Sequence, residues 1–427
     1  MLAFVTCAAW LLAVASSHPL LRPRASCPSL GSGTINIASY QLYPENVDFD
    51  EQSCLLCKFY IGALYNASVV VYDPYKGSVV STIEFPNITR TVPFHIGGVA
   101  WDRYAKNGRN KPADEITILV DAAQAHETAG RDVSGDNYII RWDAAAQRVL
   151  WTANLTAVSR GRYGGPQDVE HDADGNVYVL GTYPGTLLRI RPGSSNSSSG
   201  SGSGSGGSSR AVVVEEWYVP RRGGGGGGNA TAPPPLDHAV VGFTGFAAMA
   251  DGSALLVTDA RNRSADGGAL YRFDTAARRG DPVRVPIAYP GGDGNANATT
   301  VFRPGDAIYL PPRYGDAVLL VTEHDAGVSV LRSGARRRGG GGGGGGGNGD
   351  GSDDKWRAAD FLGRIPNPPD VAASGGVVTS AVEIGGRVFM VPEWFTDPLV
   401  PGTSAGKRAS FPLVDITAQV DALVRPR

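Results

Sequence analysis

The sequence predicts an all-β protein, a six-bladed β-propeller closed by an N-terminal strand. Three observations predict it. Period-two alternation of β-branched and aromatic residues runs from residue 33 to residue 395, and long stretches of helical period are nearly absent. A hairpin unit, clearest as QDVEHDADGNVYV at 167–179, recurs at 244–259, 305–323 and 377–393, and with a longer turn at 97–121. Repeats of about 40–50 residues that form such meanders cannot bury both faces alone, so each needs a neighbour.

Taken in order, residues 1–17 read as a signal peptide: an apolar run from Met1 to Ala15, then small residues before a cut after Ser17. The protein is therefore expected to be secreted and extracellular. Residues 18–32 form an N-terminal segment, and 33–427 the single propeller. Loss of Cys7 with the leader leaves Cys27, Cys54 and Cys57, and in an oxidising compartment Cys27 is expected to pair with Cys54 or Cys57. The Cys54-Leu-Leu-Cys57 spacing matches a redox motif, but no βαβ context surrounds it. The alternating stretch from Gly33 to Tyr40 precedes the first repeat and is expected to complete the last blade. The first repeat shows mainly its outer strands, YIGALYNASVVVYDPYKGSVVSTIEF.

Glycine- and serine-rich tracts at 194–209, 223–228 and 339–352 cannot bury apolar area and read as solvated loop insertions, not domain linkers. Loop closure costs grow slowly with length, so a closed ring tolerates them. Asn-x-Ser/Thr sequons at Asn66, Asn87, Asn154, Asn196, Asn229, Asn262 and Asn297 make the chain an expected glycoprotein.

The 39 Lys and Arg nearly balance the 41 Asp and Glu, with no basic stripe, which argues against nucleic acid as a partner. No stretch after the leader is long and apolar enough to span a bilayer. A monomer is expected.

In an antiparallel blade the start of the innermost strand and the end of its neighbour share one face. Aligning the repeats puts Gly98, Asp168, Gly245, Asp306 and Thr379 at such starts, and Asp121, Thr182, Asp259, Glu323 and Glu393 at such ends. Six of these are acids: Asp121, Asp168, Asp259, Asp306, Glu323 and Glu393. Carboxylates crowded round a narrow mouth repel one another, and Ca²⁺ or another divalent cation would relieve that. The bland reading is that acids after strands cap turns or pair with arginines. His95, just before an inner strand, is the candidate general base beside a metal-bound water; His171 lies inside a strand and points into the sheet. There is no G-x-S-x-G elbow, H-E-x-x-H or phosphate loop.

The phrases SYQLYPENVDFD, YNASVVVYDPY, FHIGGVAWD, SGDNYIIRWD, GRYGGPQDVEHDADGN, GDAIYLPPRYG and PGTSAGKRASFPLVDITAQV resemble the fungal core trichothecene cluster protein 14 family across nearly the whole mature chain. That resemblance implies a secreted fungal protein associated with the trichothecene gene cluster and with virulence. More distantly, the six repeats resemble gluconolactonase- and paraoxonase-type propellers, which implies a bound divalent ion and lactone or ester hydrolysis. Those enzymes use an early Glu with Asn and Asp ligands, and the nearest candidate here is Glu51. The expected function is binding of a small molecule or host component at an acidic channel mouth. A metal-dependent lactone or ester hydrolase and a non-catalytic interaction scaffold are the alternatives.

Overall fold

The computed structural model describes residues 27–50, 57–105, 114–193, 212–220, 241–261, 268–290, 303, 305–334 and 355–425. Their strands form six small sheets, four of them antiparallel and hydrogen-bonded in chain order from the axis outward. Blade 1 comprises Pro44–Phe49, Phe59–Ala63, Ser68–Asp73 and Ser78–Ile83. Blade 2 comprises Phe94–Trp101, Glu115–Ala122, Tyr138–Asp143 and Arg148–Asn154. Blade 3 is Gly164–His171, Val177–Tyr183, Thr186–Pro192 and Val212–Tyr218; blade 4 is Phe243–Ala248, Ala254–Asp259, Ala269–Asp274 and Val283–Val285. In blade 5 the inner strand is only Ile308–Tyr309, because Pro311 and Pro312 end it and open a 3₁₀ turn. Val318–Thr322, Val328–Ser333 and Ala359–Ile365 follow, with Ile287–Ala288 added in parallel at the outer edge. The expected six-bladed ring is what these sheets build.

Blade 6 takes Val377–Ile384, Arg387–Glu393 and Ser410–Asp415 from the C-terminal end and its outermost strand, Ile35–Ala38, from the N-terminal end. Ile35 pairs with Leu413 and Ile37 with Phe411, so the closing strand is the one expected.

The second strand of a blade is buried on both faces, as in Glu115–Ala122, whereas outer strands such as Ser78–Ile83 are mostly exposed. The apolar core is divided into layers between neighbouring blades. Val69, Val71, Val99, Ile116 and Ile118 fill the first junction, and Tyr178, Leu180, Phe246, Leu255 and Val257 the third. Each fully buried aliphatic side chain in these layers contributes roughly 1.5–3 kcal/mol, so side-chain packing does most to hold the ring, with a few backbone bonds between blades such as Val378 N to His324 O. Close approach at the axis requires glycine: a Cβ on Gly245 would stand 2.6 Å from the backbone oxygen of Asp306.

Cys27 is bonded to Cys57, closing a 30-residue separation and tying the N-terminal segment to blade 1. Cys54, the expected signal peptide at 1–17, the three glycine tracts and the sequons Asn196, Asn229, Asn262 and Asn297 lie outside the described residues. Asn87 and Asn154 are exposed, while the Asn66 amide donates to the Gln41 carbonyl at 2.9 Å.

Candidate ligand site at the channel mouth

Five of the six inner strands carry a register shift near their first residues, between Pro44 and Val47, Ile96 and Gly98, Pro166 and Asp168, Phe243 and Gly245, and Val378 and Ser380. Such bulges insert one residue and re-aim a side chain. Four of the inserted positions, Glu45, Gly97, Gln167 and Thr244, line a cavity of about 760 Å³ to which all six blades contribute. The site is therefore a product of the bulges as much as of the repeat.

Of the acids expected there, Asp121 and Asp306 line the cavity, and so does His95. The Asp121 carboxylate is buried, and its Oδ2 has no hydrogen-bond partner; the nearest basic group is His126 Nε2 at 3.9 Å. Burial pushes the Asp121 carboxyl up to about 7. Asp306 accepts from Gln167 Nε2 at 2.5 Å and faces His324 Nε2 at 3.3 Å.

Asp168 is among the six acids but does not line the cavity, because the bulge turns Gln167 into it instead. Asp168 accepts from Asn46 Nδ2 at 2.7 Å and from its neighbour's amide, Val169 N, at 2.8 Å, and burial raises its carboxyl well above the carboxylate range. Glu393 is fully buried, and neither of its oxygens finds a side-chain partner. Burial likewise raises it well above the usual range, opposed by the amide of Trp394. Asp259 is held by the Arg261 guanidinium, whose Nε stands 2.8 Å from Oδ2. Glu323 is held by Arg364 at 2.6 Å and by the Ser329 hydroxyl. Guanidinium pairing thus takes both of these acids out of the mouth.

Sequence reasoning missed Glu45. It stands on the first inner strand, the element the repeat alignment left blank, whereas Glu51 lies outside the described residues. Burial raises the Glu45 carboxyl well above its ordinary value, reinforced by Asp306, Glu393, Asp121 and Asp168. The phrase YPEN was the available signal, since proline at a strand entry followed by two polar residues fits a bulge.

Three histidines, His95, His126 and His324, line the cavity, each edge-on to an aromatic ring: Tyr65 at 5.3 Å, Tyr183 at 5.5 Å and Phe395 at 6.3 Å between centroids. Burial pulls His95 down to about 4 and also lowers His126, so both are neutral at pH 7. His171 is elsewhere. Its Nε2 is 2.8 Å from both the Thr117 hydroxyl and Arg141 Nη1, in a buried network with Asp102 and Glu115 that joins blade 2 to blade 3.

Below the cavity the axis is crossed by side chains. Asn46 bonds from blade 1 to Asp168 on blade 3, and the Tyr104 hydroxyl reaches from blade 2 to the carbonyls of Met249 and Ala250 after blade 4, at 2.9 and 3.0 Å. Asp48, Arg103 and Glu170 interact at the same end. Burial raises Asp48 to about 6 and Glu170 to about 7, with Arg103 opposing both shifts. The channel is thus a pocket open at one end.

Among the described residues, no three His, Cys, Asp or Glu side chains converge closely enough to hold a metal ion. The described carboxylates that do line the mouth do not form the chelate expected for Ca²⁺. No protein-family model matches the chain. Trichothecene biosynthesis protein 14 of Trichoderma arundinaceum is 28% identical over 410 residues, covering 93% of this chain and 92% of the relative. Core trichothecene cluster protein 14 of Fusarium sporotrichioides is 27% identical over 412 residues, covering 94% and 89%. The chain resembles trichothecene cluster protein 14 from end to end. Among solved structures, the allergen Mala s 1 of Malassezia sympodialis superposes with a TM-score of 0.58 at 16% identity, covering 90% of this chain and 96% of that one, which bears on fold alone. A gluconolactonase from Xanthomonas campestris gives 0.42 at 13% identity, covering 92% and 99%, too loose a likeness to carry an activity across.

Proposed function

We propose that this protein is a binding protein that takes a small organic molecule into the channel mouth and acts outside the cell, in host interaction. The observation that carries the reading is the combination of a cavity of about 760 Å³ on the propeller axis with buried carboxylate oxygens, on Asp121 and Glu45, that no protein donor satisfies. Leaving such groups without partners costs roughly 1–3 kcal/mol each, and a ligand bearing donors offsets that cost. The Cys27–Cys57 bond and the apolar leader support the extracellular placement. The likeness to the trichothecene cluster proteins supports a role tied to fungal secondary metabolism.

The hydrolase alternative needs three ligands round one ion, an arrangement absent among the described residues, and no step is assigned through a metal. His95, neutral and against Tyr65, serves in the binding reading as a hydrogen-bonding wall of the pocket.

Thermal denaturation in a panel of small polar and amphipathic compounds tests the proposal. At least one compound should raise Tm by linkage, and Val241→Trp, at the cavity rim, should abolish the shift. A panel without effect, or shifts that survive Val241→Trp, would overturn it. Turnover of aryl esters or lactones that is lost in His95→Ala would replace it with the hydrolase.

A further inference from the structure

We infer that the ligand is an organic cation, an ammonium group carried on an apolar body, an inference that rests on the binding reading above. The cavity is lined by five carboxylates and three histidines, and by no lysine or arginine among the described residues. Asp397 is already matched by Arg408, at 2.9 and 3.0 Å, and Asp306 has Gln167 and His324. Asp121 is different: it is 2% exposed, lines the cavity, and keeps Oδ2 without a hydrogen bond. Glu45, on the neighbouring blade 1, keeps Oε2 in the same state.

Two kinds of positive charge could answer these oxygens. A bare metal ion needs its ligands gathered within about 2.3–2.6 Å of one point, and the described acids do not gather so. An ammonium spreads its charge over a group several ångströms wide and accepts carboxylates from separate walls. It also suits the aromatic lining, since Tyr65, Tyr183 and Phe395 surround the same space. Cations near such rings gain about 0.5–2 kcal/mol.

The rim specifies the rest of the molecule. Val92, Phe395 and Leu399 border the cavity at 76%, 41% and 63% exposure, large apolar side chains left in water at the entrance to an acidic pocket. A ligand with its charge at the floor would lay its apolar part against them.

Calorimetric titration of the protein with hexyltrimethylammonium, choline, Ca²⁺ and tert-butylethanol, the uncharged isostere of choline, tests this. Hexyltrimethylammonium should bind tightest, and choline should bind about tenfold or more tighter than the alcohol. Asp121→Asn should weaken the ammonium compounds about tenfold while leaving the alcohol unchanged, and Val92→Arg, on the exposed rim, should weaken choline about tenfold more than it weakens the alcohol. Equal affinity for choline and its isostere, binding of Ca²⁺ that displaces the ammonium, or ammonium binding indifferent to both variants would overturn the inference. If uncharged compounds bind and Val241→Trp abolishes that binding, the cavity reading stands and the cation inference falls. If Val241→Trp changes no binding at all, both fall.

Discussion

Gln167 Nε2 donates to Asp306 Oδ1 at 2.5 Å, joining blade 3 to blade 5 with blade 4 between them. A bond that skips a blade crosses the mouth, and it exists because the bulge between Pro166 and Asp168 turns the amide inward. The amide also accepts from the Thr182 hydroxyl at 2.7 Å, which fixes its orientation. The cavity wall is therefore set by hydrogen bonds between distant repeats.

Asp121→Asn should stabilise the protein increasingly as pH rises. The folded carboxyl holds its proton to about pH 7, whereas the ordinary value is 3.8. Between those values the folded state binds more protons, so stability is lost as pH climbs through the window. Asparagine has no such loss. Thermal melts should show no difference at low pH and a higher Tm for Asp121→Asn above pH 7; a constant difference would contradict the shift.

Arg141 bridges the buried acids Asp102 and Glu115, and its Nη1 also donates to Thr117. Removing it as Arg141→Met takes the guanidinium away from two buried acids, and the expected cost is about 3–5 kcal/mol. Denaturant titration should recover much of it when Asp102→Asn and Glu115→Gln are added. No recovery would mean that packing, not charge, makes Arg141 necessary.

Gly245→Ala should destabilise the ring by about 1–3 kcal/mol, since the added Cβ meets backbone atoms of Asp306 and Ala307 within 3 Å. Because that contact sets the spacing of blades 4 and 5 beside the cavity, ligand affinity should fall as well. A variant as stable as the parent would show that the two inner strands separate at little cost.

Ile37 is fully buried where the closing strand meets the junction of blades 6 and 1. Ile37→Ala should cost about 2–5 kcal/mol, and reduction of Cys27–Cys57 should add to it. Equilibrium unfolding with and without reductant separates the two contributions.

The ring was legible because strand alternation and turn residues repeat in every blade, and the closing strand because Gly33 to Tyr40 alternates outside any repeat. The mouth was legible only in part. A bulge breaks the period of two by one residue, so alternation placed Asp168 in the cavity where Gln167 stands, and it passed over Glu45. The arginine that withdraws Asp259 is two residues along in TDAR and could have been noticed. The one that withdraws Glu323 comes from the far strand of blade 5, at a separation that local pattern does not reach.

Blade 6 draws its last strand from residues 35–38 and its neighbour from 410–415. During synthesis the early segment must wait, its hydrogen-bonding edge unmatched, until almost the entire polypeptide has left the ribosome. Nascent chains arrested before residue 410 would therefore lack a sealed circle however well their first blades had formed, and chaperones that shield lone strands would find their target at the amino end.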